Sequence, residues 1–69
     1  MTGAEYLSAL KGWGMRHKAA AAFFGFTVIT SQRYATGERE VPQSLEMLIR
    51  LMLAMKLTPD KVVEWLMEQ

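Results

Sequence analysis

The chain lacks cysteine, has a single histidine and carries only two prolines in 69 residues. Without cysteine it forms no disulfide, and one histidine cannot supply the several Cys or His ligands of a zinc site. No serine stands at a recognisable spacing from a base, and the close carboxylate pair Glu38 and Glu40 lies in a charged, glycine-containing segment typical of solvated turns. We therefore expect no enzymatic activity, no metal and no cofactor.

Long apolar segments and a strong charge of either sign are also missing. The longest apolar stretch, residues 45–57, contains three charged residues and is shorter than the roughly 20 residues that cross a bilayer. The N-terminus lacks the basic-then-apolar layout of a signal peptide, so we expect a cytoplasmic protein with no membrane contact. The net charge of +1 is weak support for an anionic partner, so the case for such a partner depends on where the basic residues lie.

The composition is typical of a globular protein, with 51% hydrophobic and 22% charged residues. A chain of 69 residues has room for one core, so we expect a single domain over residues 1–69. A core of this size rarely supplies more than about 3–5 kcal/mol of stability. Pairing with a second copy would add to it, and we expect an oligomer.

Local signals predict two helices in the first third of the chain. Thr2 and Glu5 have the spacing of a capping box, which begins a first helix that ends near Gly12. An alanine-rich second helix covers residues 15–24 and stops at Gly25.

The segment that follows fits two structures. Residues 24–30 alternate aromatic and β-branched side chains in a way that suits a strand. Against a strand, Thr27 is a suitable N-cap and Gly37 stands where a helix would end in a left-handed cap. We predict a short third helix, Val28–Thr36.

Two more helices are predicted in the C-terminal part. Pro42, at a first helical position, opens a fourth helix that runs through Leu57. Thr58 then caps a fifth helix with Pro59 at its first position.

The fourth helix is apolar on nearly all sides, since ten of the 13 residues from 45 to 57 are apolar. Such a helix must be buried on two sides, and in a small domain the second cover can be another protomer. The alternative is that the fifth helix folds back and covers the excess. The homodimer seam predicted from this pattern consists of Met52, Met55, Trp65 and Leu66.

Four residues have the spacing of a helix-turn-helix: Ala21, Gly25, Phe26 and Tyr34. A small side chain lets two helices approach, glycine permits the turn, and the apolar residues anchor the second helix. Here the sequence resembles the lambda-repressor/Cro-like (Xre) helix-turn-helix family, and residues 15–42, with their closing Gly-charged-charged-x-x-Pro loop, look like its helix, turn, recognition helix and loop.

The resemblance implies a small all-α, five-helix lambda-repressor-like domain, with the helix-turn-helix at about residues 15–36 and the C-terminal helices at about 42–68. It also implies a function. The chain would be a bacterial or phage transcriptional regulator, a repressor that binds double-stranded DNA as a homodimer on a pseudo-palindromic operator.

Site residues follow from the same resemblance, position by position. The positions that match the base-reading face are Val28, Ile29, Gln32 and Arg33, and those that match phosphate-facing positions are His17, Thr27, Thr36 and Arg39. The chain departs from the family at Ser31, where Val or Ile is usual, and three phenylalanines are expected to fill that space: Phe23, Phe24 and Phe26. A slipped register that turns Val28 or Ile29 inward would change the base-reading set.

The basic residues at the start of the second helix give an independent argument. Arg16, His17 and Lys18 lie where the helix dipole disfavours cations by roughly 0.3–1 kcal/mol each. A phosphate bound there would use both the free backbone N–H groups and these side chains. We therefore expect all three to contact phosphate, the alternative being surface charge with no role.

A second interpretation belongs to a different functional class and stays open. The chain could be a helical protein-protein interaction module, antitoxin-like or an adaptor, that binds a protein through Val28, Ile29 and the neighbouring phenylalanines. The small net charge and the apolar base-reading positions favour this interpretation, whereas the placement of Arg16, Arg33 and Arg39 favours DNA.

Overall fold

Residues 1–68 form five α-helices and no strand in the structure, a computed structural model that describes these residues. The helices are α1 Gly3–Gly12, α2 His17–Phe24, α3 Val28–Thr36, α4 Gln43–Ala54 and α5 Pro59–Met67. The all-α prediction is confirmed, and Val28–Thr36 is a helix and not a strand. Gln69 lies outside the described residues.

Threonine hydroxyls begin three of the helices, as the sequence predicted. Thr2 Oγ1 accepts the backbone N–H of Glu5 at 3.1 Å, and the Glu5 carboxylate accepts the backbone N–H of Thr2 at 2.9 Å, which completes the capping box. Thr27 and Thr58 cap α3 and α5 in the same way, by accepting a backbone N–H from the first turn. Each cap satisfies one of the donors that a helix start leaves free.

The boundaries of α2 and α4 correct the prediction. α2 begins at His17 and not at residue 15, because the backbone of Arg16 is extended. Pro42 occupies the N-cap position of α4 and not its first helical position. α4 ends at Ala54, short of Leu57, because Lys56 adopts a left-handed φ of 55°. The Leu57 N–H then donates to a carbonyl of the last turn at 2.8 Å and closes the helix.

The core forms where α1 and α2 both pack against α3. Tyr6 and Leu10 of α1, Tyr34 of α3 and Ile49 of α4 are its large buried side chains. The rings of Tyr6 and Tyr34 meet edge to face with their centroids 5.6 Å apart. Two helices therefore hold the inner face of α3, and this fixes the direction of its outer face.

Gly3 sits where α1 approaches the C-terminal end of α3. A Cβ at this position would lie 2.8 Å from the carbonyl oxygen of Tyr34 and would also overlap the carbonyl of Ala35. Both neighbours are backbone atoms, which cannot rotate away as a side chain can. The approach of α1 to α3 therefore depends on glycine at position 3.

Replacing Gly3 with alanine should lower the free energy of unfolding by about 1–2 kcal/mol, because the added methyl group forces α1 away from α3. Helix propensity alone would favour alanine by about 1 kcal/mol, so a net loss identifies the steric conflict. The matched control is Gly12→Ala in the same helix, where, apart from the adjoining residues and the backbone of α1 itself, no described heavy atom lies within 4 Å of the new Cβ. Urea unfolding of both variants checks this, and equal stabilities would contradict the close approach.

An ionic network joins the start of α1 to α4. The Met1 ammonium donates to Glu46 Oε1 at 2.8 Å, and Arg50 Nε donates to Glu46 Oε2 at 2.8 Å. Arg50 also lies 3.4 Å from Glu5 Oε2. The backbone N–H of Thr2 lowers the pKa of Glu5, and the Met1 ammonium followed by Arg50 lowers the pKa of Glu46.

Acid should weaken the fold through these two carboxylates. Because their pKa values are lower in the folded chain, the stability they contribute is fully present above the ordinary glutamate range of about 4.3 and is lost as the pH falls through the folded values. We expect the melting temperature to fall between about pH 5 and pH 3. The Glu5→Gln/Glu46→Gln variant should show a smaller drop, and an unchanged drop would assign the acid sensitivity to other groups.

α5 is the least buried helix, and Pro59 is its buried residue. Large apolar side chains are exposed along α5 and along the outer side of α4 up to its C-cap: Met47, Leu48, Leu51, Leu53, Met55, Val63, Trp65, Leu66 and Met67. The fifth helix therefore does not cover the apolar excess of the fourth, which was the alternative to a seam. None of the helices in residues 1–68 has both the length and the apolar character needed to cross a bilayer.

Candidate nucleic-acid interface

The turn between α2 and α3 is built around a left-handed glycine. Gly25 has a φ of 87°, a conformation that costs other residues roughly 1–2 kcal/mol. The N–H groups of Gly25 and Phe26 both donate to the carbonyl of Ala21, at 2.9 and 3.0 Å. Ala21 itself is buried. Three of the four helix-turn-helix residues thus form one hydrogen-bonded turn that fixes the angle between the helices.

The fourth residue, Tyr34, anchors α3 from inside. Its ring meets Phe26 edge to face at 5.4 Å and Tyr6 at 5.6 Å, and Phe26 in turn stacks on Phe24 at 5.9 Å. Ser31, one turn earlier on the same face of α3, has no exposed surface. Tyr34 and Ser31 therefore define the inner face of the helix.

The four predicted base-reading residues share the opposite face. Val28 is 39% exposed and Ile29 is 59% exposed, and both Gln32 and Arg33 are exposed. Because Ser31 and Tyr34 are buried, α3 does not adopt the slipped register that would turn Val28 or Ile29 inward. α3 presents one outward surface formed by its first turn and its middle.

Ser31 joins three helices through its hydroxyl. Tyr6 Oη of α1 lies 2.6 Å from Ser31 Oγ, and His17 Nδ1 of α2 lies 2.7 Å from the same atom. The expectation that phenylalanines fill this space is wrong, because polar groups from α1 and α2 occupy it. Burial raises the pKa of Tyr6, and the hydrogen bond with Ser31 acts against that rise.

This cluster was not predicted from the sequence, although a signal for it was present. A serine at a position that faces the core needs a hydrogen-bond partner. The chain offers its single histidine on α2 and a tyrosine on the buried side of α1. The pairing itself depends on how three helices meet, which no local pattern encodes.

Cationic side chains surround the N-terminus of α2. Arg16 is its N-cap and, among residues 1–68, makes no side-chain capping hydrogen bond. Lys18 is exposed and His17 is half-buried. The first turn of α2 contains no acidic residue. The positive end of the helix dipole and two exposed basic residues thus lie within the same turn.

The remaining predicted phosphate-contacting residues lie at the two ends of α3. Thr27 Oγ1 is engaged with the N–H and the hydroxyl of Thr30, at 3.1 and 2.9 Å. Thr36 Oγ1 donates to the carbonyl of Arg33 at 3.2 Å. Arg39 is exposed in the loop that follows α3. The two threonine hydroxyls therefore make hydrogen bonds at the ends of α3 in the free chain, whereas Arg39 is exposed to solvent.

An acidic residue not predicted for the site lies beside Arg33. Glu38 Oε2 is 3.9 Å from Arg33 Nε, and both side chains are at least half exposed. An ion pair in this setting is weak. Arg33 is thus loosely held near the end of α3 and can be released at small cost.

The predicted seam residues divide into two groups. Met55, Trp65 and Leu66 are exposed, but Met52 is only 2% exposed and belongs to the protomer interior. Met52 is therefore removed from the exposed seam, because its side chain lies at the floor of a groove with almost no exposed surface. Between α2, α4 and α5 lies an open apolar groove of about 430 Å³ whose lining includes Phe23, Phe24, Leu45, Leu48, Val62 and Leu66.

The comparisons with known proteins identify no relative of the chain. No protein-family model matches the chain, and neither the curated proteins nor the solved structures give a match. Among residues 1–68, no three histidine, aspartate or glutamate side chains lie close enough together to hold a metal ion. The assignment of a function therefore depends on the surface of α2 and α3 themselves.

Proposed function

We propose that the chain is a lambda-repressor-like (Xre) helix-turn-helix protein that binds double-stranded DNA in a sequence-specific way and represses transcription. The observation that carries the proposal is the exposed outer face of α3, together with the cationic N-terminus of α2, which the 2.7 Å contact of His17 Nδ1 with Ser31 Oγ holds against the middle of α3. An α-helix of this size fits the major groove of B-DNA. In this arrangement one helix enters the groove while the start of the other meets the backbone.

The chemistry of the outward face suits base edges. Arg33 can donate two hydrogen bonds to guanine, and Gln32 can form a bidentate pair with adenine. The methyl groups of Val28 and Ile29 suit the C5-methyl group of thymine. The four side chains together read a short half-site containing both polar and methyl contacts.

The backbone contacts come from both sides of α3. Arg16 and Lys18 bring positive charge to the exposed start of α2, where free N–H groups also bind an anion. Arg39 lies beyond the other end of α3. Contacts of this kind fix the position of a protein on the duplex and make its affinity depend on salt.

The exposed apolar surface of α4 and α5 supports a homodimer. Met55, Trp65 and Leu66 are exposed together with the neighbouring leucines, and a monomeric domain rarely leaves an apolar surface of this extent in water. A two-fold dimer would place its two α3 helices about 34 Å apart on a pseudo-palindromic operator. Such a regulator would act in the cytoplasm of a bacterium or a phage-infected cell.

The experiment that tests the proposal is selection of bound duplexes from a random DNA pool at about 0.15 M salt, followed by affinity measurements on the enriched site at several salt concentrations. We expect an inverted repeat with half-sites about one helical turn apart and a steep loss of affinity with salt. No enrichment together with no salt-sensitive binding would contradict the proposal.

A protein-interaction module is the second candidate, and two observations favour it. Val28 and Ile29 expose apolar surface at the very positions that would read bases, and Glu38 places a negative charge next to Arg33. In that case α3 would dock on a hydrophobic groove of a partner protein. Failure of the DNA selection, with the chain folded, would favour this candidate over the first.

A further inference from the structure

We infer that Tyr6 and Ser31 are positioning residues for His17: they hold its imidazole so that Nε2 carries the proton and donates a hydrogen bond to a DNA phosphate. The inference deepens the proposed function and depends on it for the identity of the acceptor. It starts from two short hydrogen bonds, Tyr6 Oη to Ser31 Oγ at 2.6 Å and His17 Nδ1 to Ser31 Oγ at 2.7 Å.

The positions of the protons follow from the available donors and acceptors. Tyr6 has no exposed surface, and among residues 1–68 its hydroxyl has no hydrogen-bond partner except Ser31. A buried O–H that finds no acceptor is costly, so Tyr6 donates to Ser31. The one proton of Ser31 is then directed to the remaining partner, His17 Nδ1. Nδ1 accepts, and the neutral imidazole carries its proton on Nε2.

The position of His17 aims that proton outward. His17 is the first residue of α2 and is half-buried, with its Nδ1 edge against the fully buried Ser31. Because the Nδ1 edge meets a fully buried group, the exposed part of the half-buried ring is its Nε2 edge, and the chain neighbours Arg16 and Lys18 are both exposed. The Nε2–H therefore joins the free N–H groups at the start of α2, where the proposed phosphate lies.

The first test is made on the free protein by NMR, at about pH 8, which is above the ordinary range of imidazole. Long-range ¹H–¹⁵N correlations should show a proton on Nε2 of His17 and none on Nδ1. A proton on Nδ1 would overturn the inference, because Ser31 would then accept from the histidine and the Tyr6 hydroxyl would no longer be the donor that sets the tautomer.

The test variant is Tyr6→Phe/Ser31→Ala. Ser31→Ala alone would leave the Tyr6 hydroxyl buried without a partner and endanger folding, whereas the double variant removes both groups. We expect it to fold and to show a mobile His17 ring by ¹³C relaxation. A ring as ordered as in the wild type would overturn the positioning role.

The second test measures affinity for the selected duplex and for a random duplex. His17→Ala should weaken both about tenfold, as expected for the removal of a hydrogen bond to a charged acceptor. The salt dependence should stay the same, because a neutral imidazole releases no counterion. Arg16→Ala is the matched control, and it should lower the slope of log K against log salt by about 0.9 for each phosphate that is no longer neutralised.

A mutant cycle shows whether Tyr6 and Ser31 act through His17. Tyr6→Phe/Ser31→Ala should weaken binding several-fold in the wild-type background and have no further effect in the His17→Ala background. Equal losses of affinity in both backgrounds would overturn the inference in favour of a general structural role. If the wild type binds no duplex, the proposed function and the phosphate contact fail together, while the NMR experiment still decides the tautomer.

Discussion

Met52→Glu should leave the chain unfolded. Met52 is 2% exposed and lies at the floor of the apolar groove, whose lining among residues 1–68 contains no cationic side chain, so a glutamate there would be buried without a partner. The effective cost of burying an unpaired charge is several kcal/mol, comparable to the roughly 3–5 kcal/mol that a core of this size provides. Far-ultraviolet circular dichroism and sedimentation should report an unfolded monomer.

Met55→Glu is the matched control for this substitution. Met55 is 56% exposed at the C-cap of α4, so the same charge stays in water and the fold should persist. If the exposed surface of α4 and α5 is the dimer seam, Met55→Glu should sediment as a folded monomer. A folded Met52→Glu would contradict the internal position of Met52, and a wild-type monomer at micromolar concentration would contradict the homodimer.

Arg33→Ala should weaken binding to the selected operator by about 1–3 kcal/mol, or roughly fivefold to 150-fold, and relax the preference at one base pair. The weaker binding should not come from unfolding, because the side chain is exposed and its pair with Glu38 at 3.9 Å is weak. Competition assays with operator variants check both the size of the effect and the base pair concerned.

Arg39→Ala is the control for Arg33→Ala. Arg39 is exposed in the loop after α3, where it would meet the backbone, so its removal should weaken binding to operator and random DNA alike. If Arg33→Ala also weakened both duplexes equally, Arg33 would be a backbone contact and the base-reading assignment would be wrong.

Much of the fold could be predicted because its start and stop signals are local. Thr2, Thr27 and Thr58 each cap a helix through a hydroxyl that accepts a nearby N–H, and Gly25 and Gly37 end helices in the left-handed conformation. Such contacts span only three or four residues. They set the starts of α1, α3 and α5 and the ends of α2 and α3.

The predictions about α4 were wrong where its structure depends on more than local sequence signals. α4 is apolar nearly all round, and nothing in that pattern distinguishes the buried Met52 from the exposed Met55. The left-handed Lys56, which ends α4, also has no sequence signal, since glycine is the usual residue in that conformation.

The residues of the candidate site were predicted from the family resemblance and not from a local signal. The structure places Val28, Ile29, Gln32 and Arg33 on the exposed side of α3, away from the buried Ser31 and Tyr34. The partners of Ser31 were not predictable, because Tyr6 and His17 come from two other helices. Ser31 is the position at which the chain departs from the family that it resembles, and its hydrogen bonds to two other helices are specific to this chain.

The two-sided character of α3 has an evolutionary consequence. Its inner residues hold the domain together through α1 and α2, while its outer residues make few contacts in the folded chain. Substitutions at Gln32 or Arg33 therefore change little in the free energy of folding. Under the proposed function, new operator preferences could therefore be acquired by neutral drift at these positions without compensating changes elsewhere, and descendants of this chain could diverge in target while keeping one scaffold.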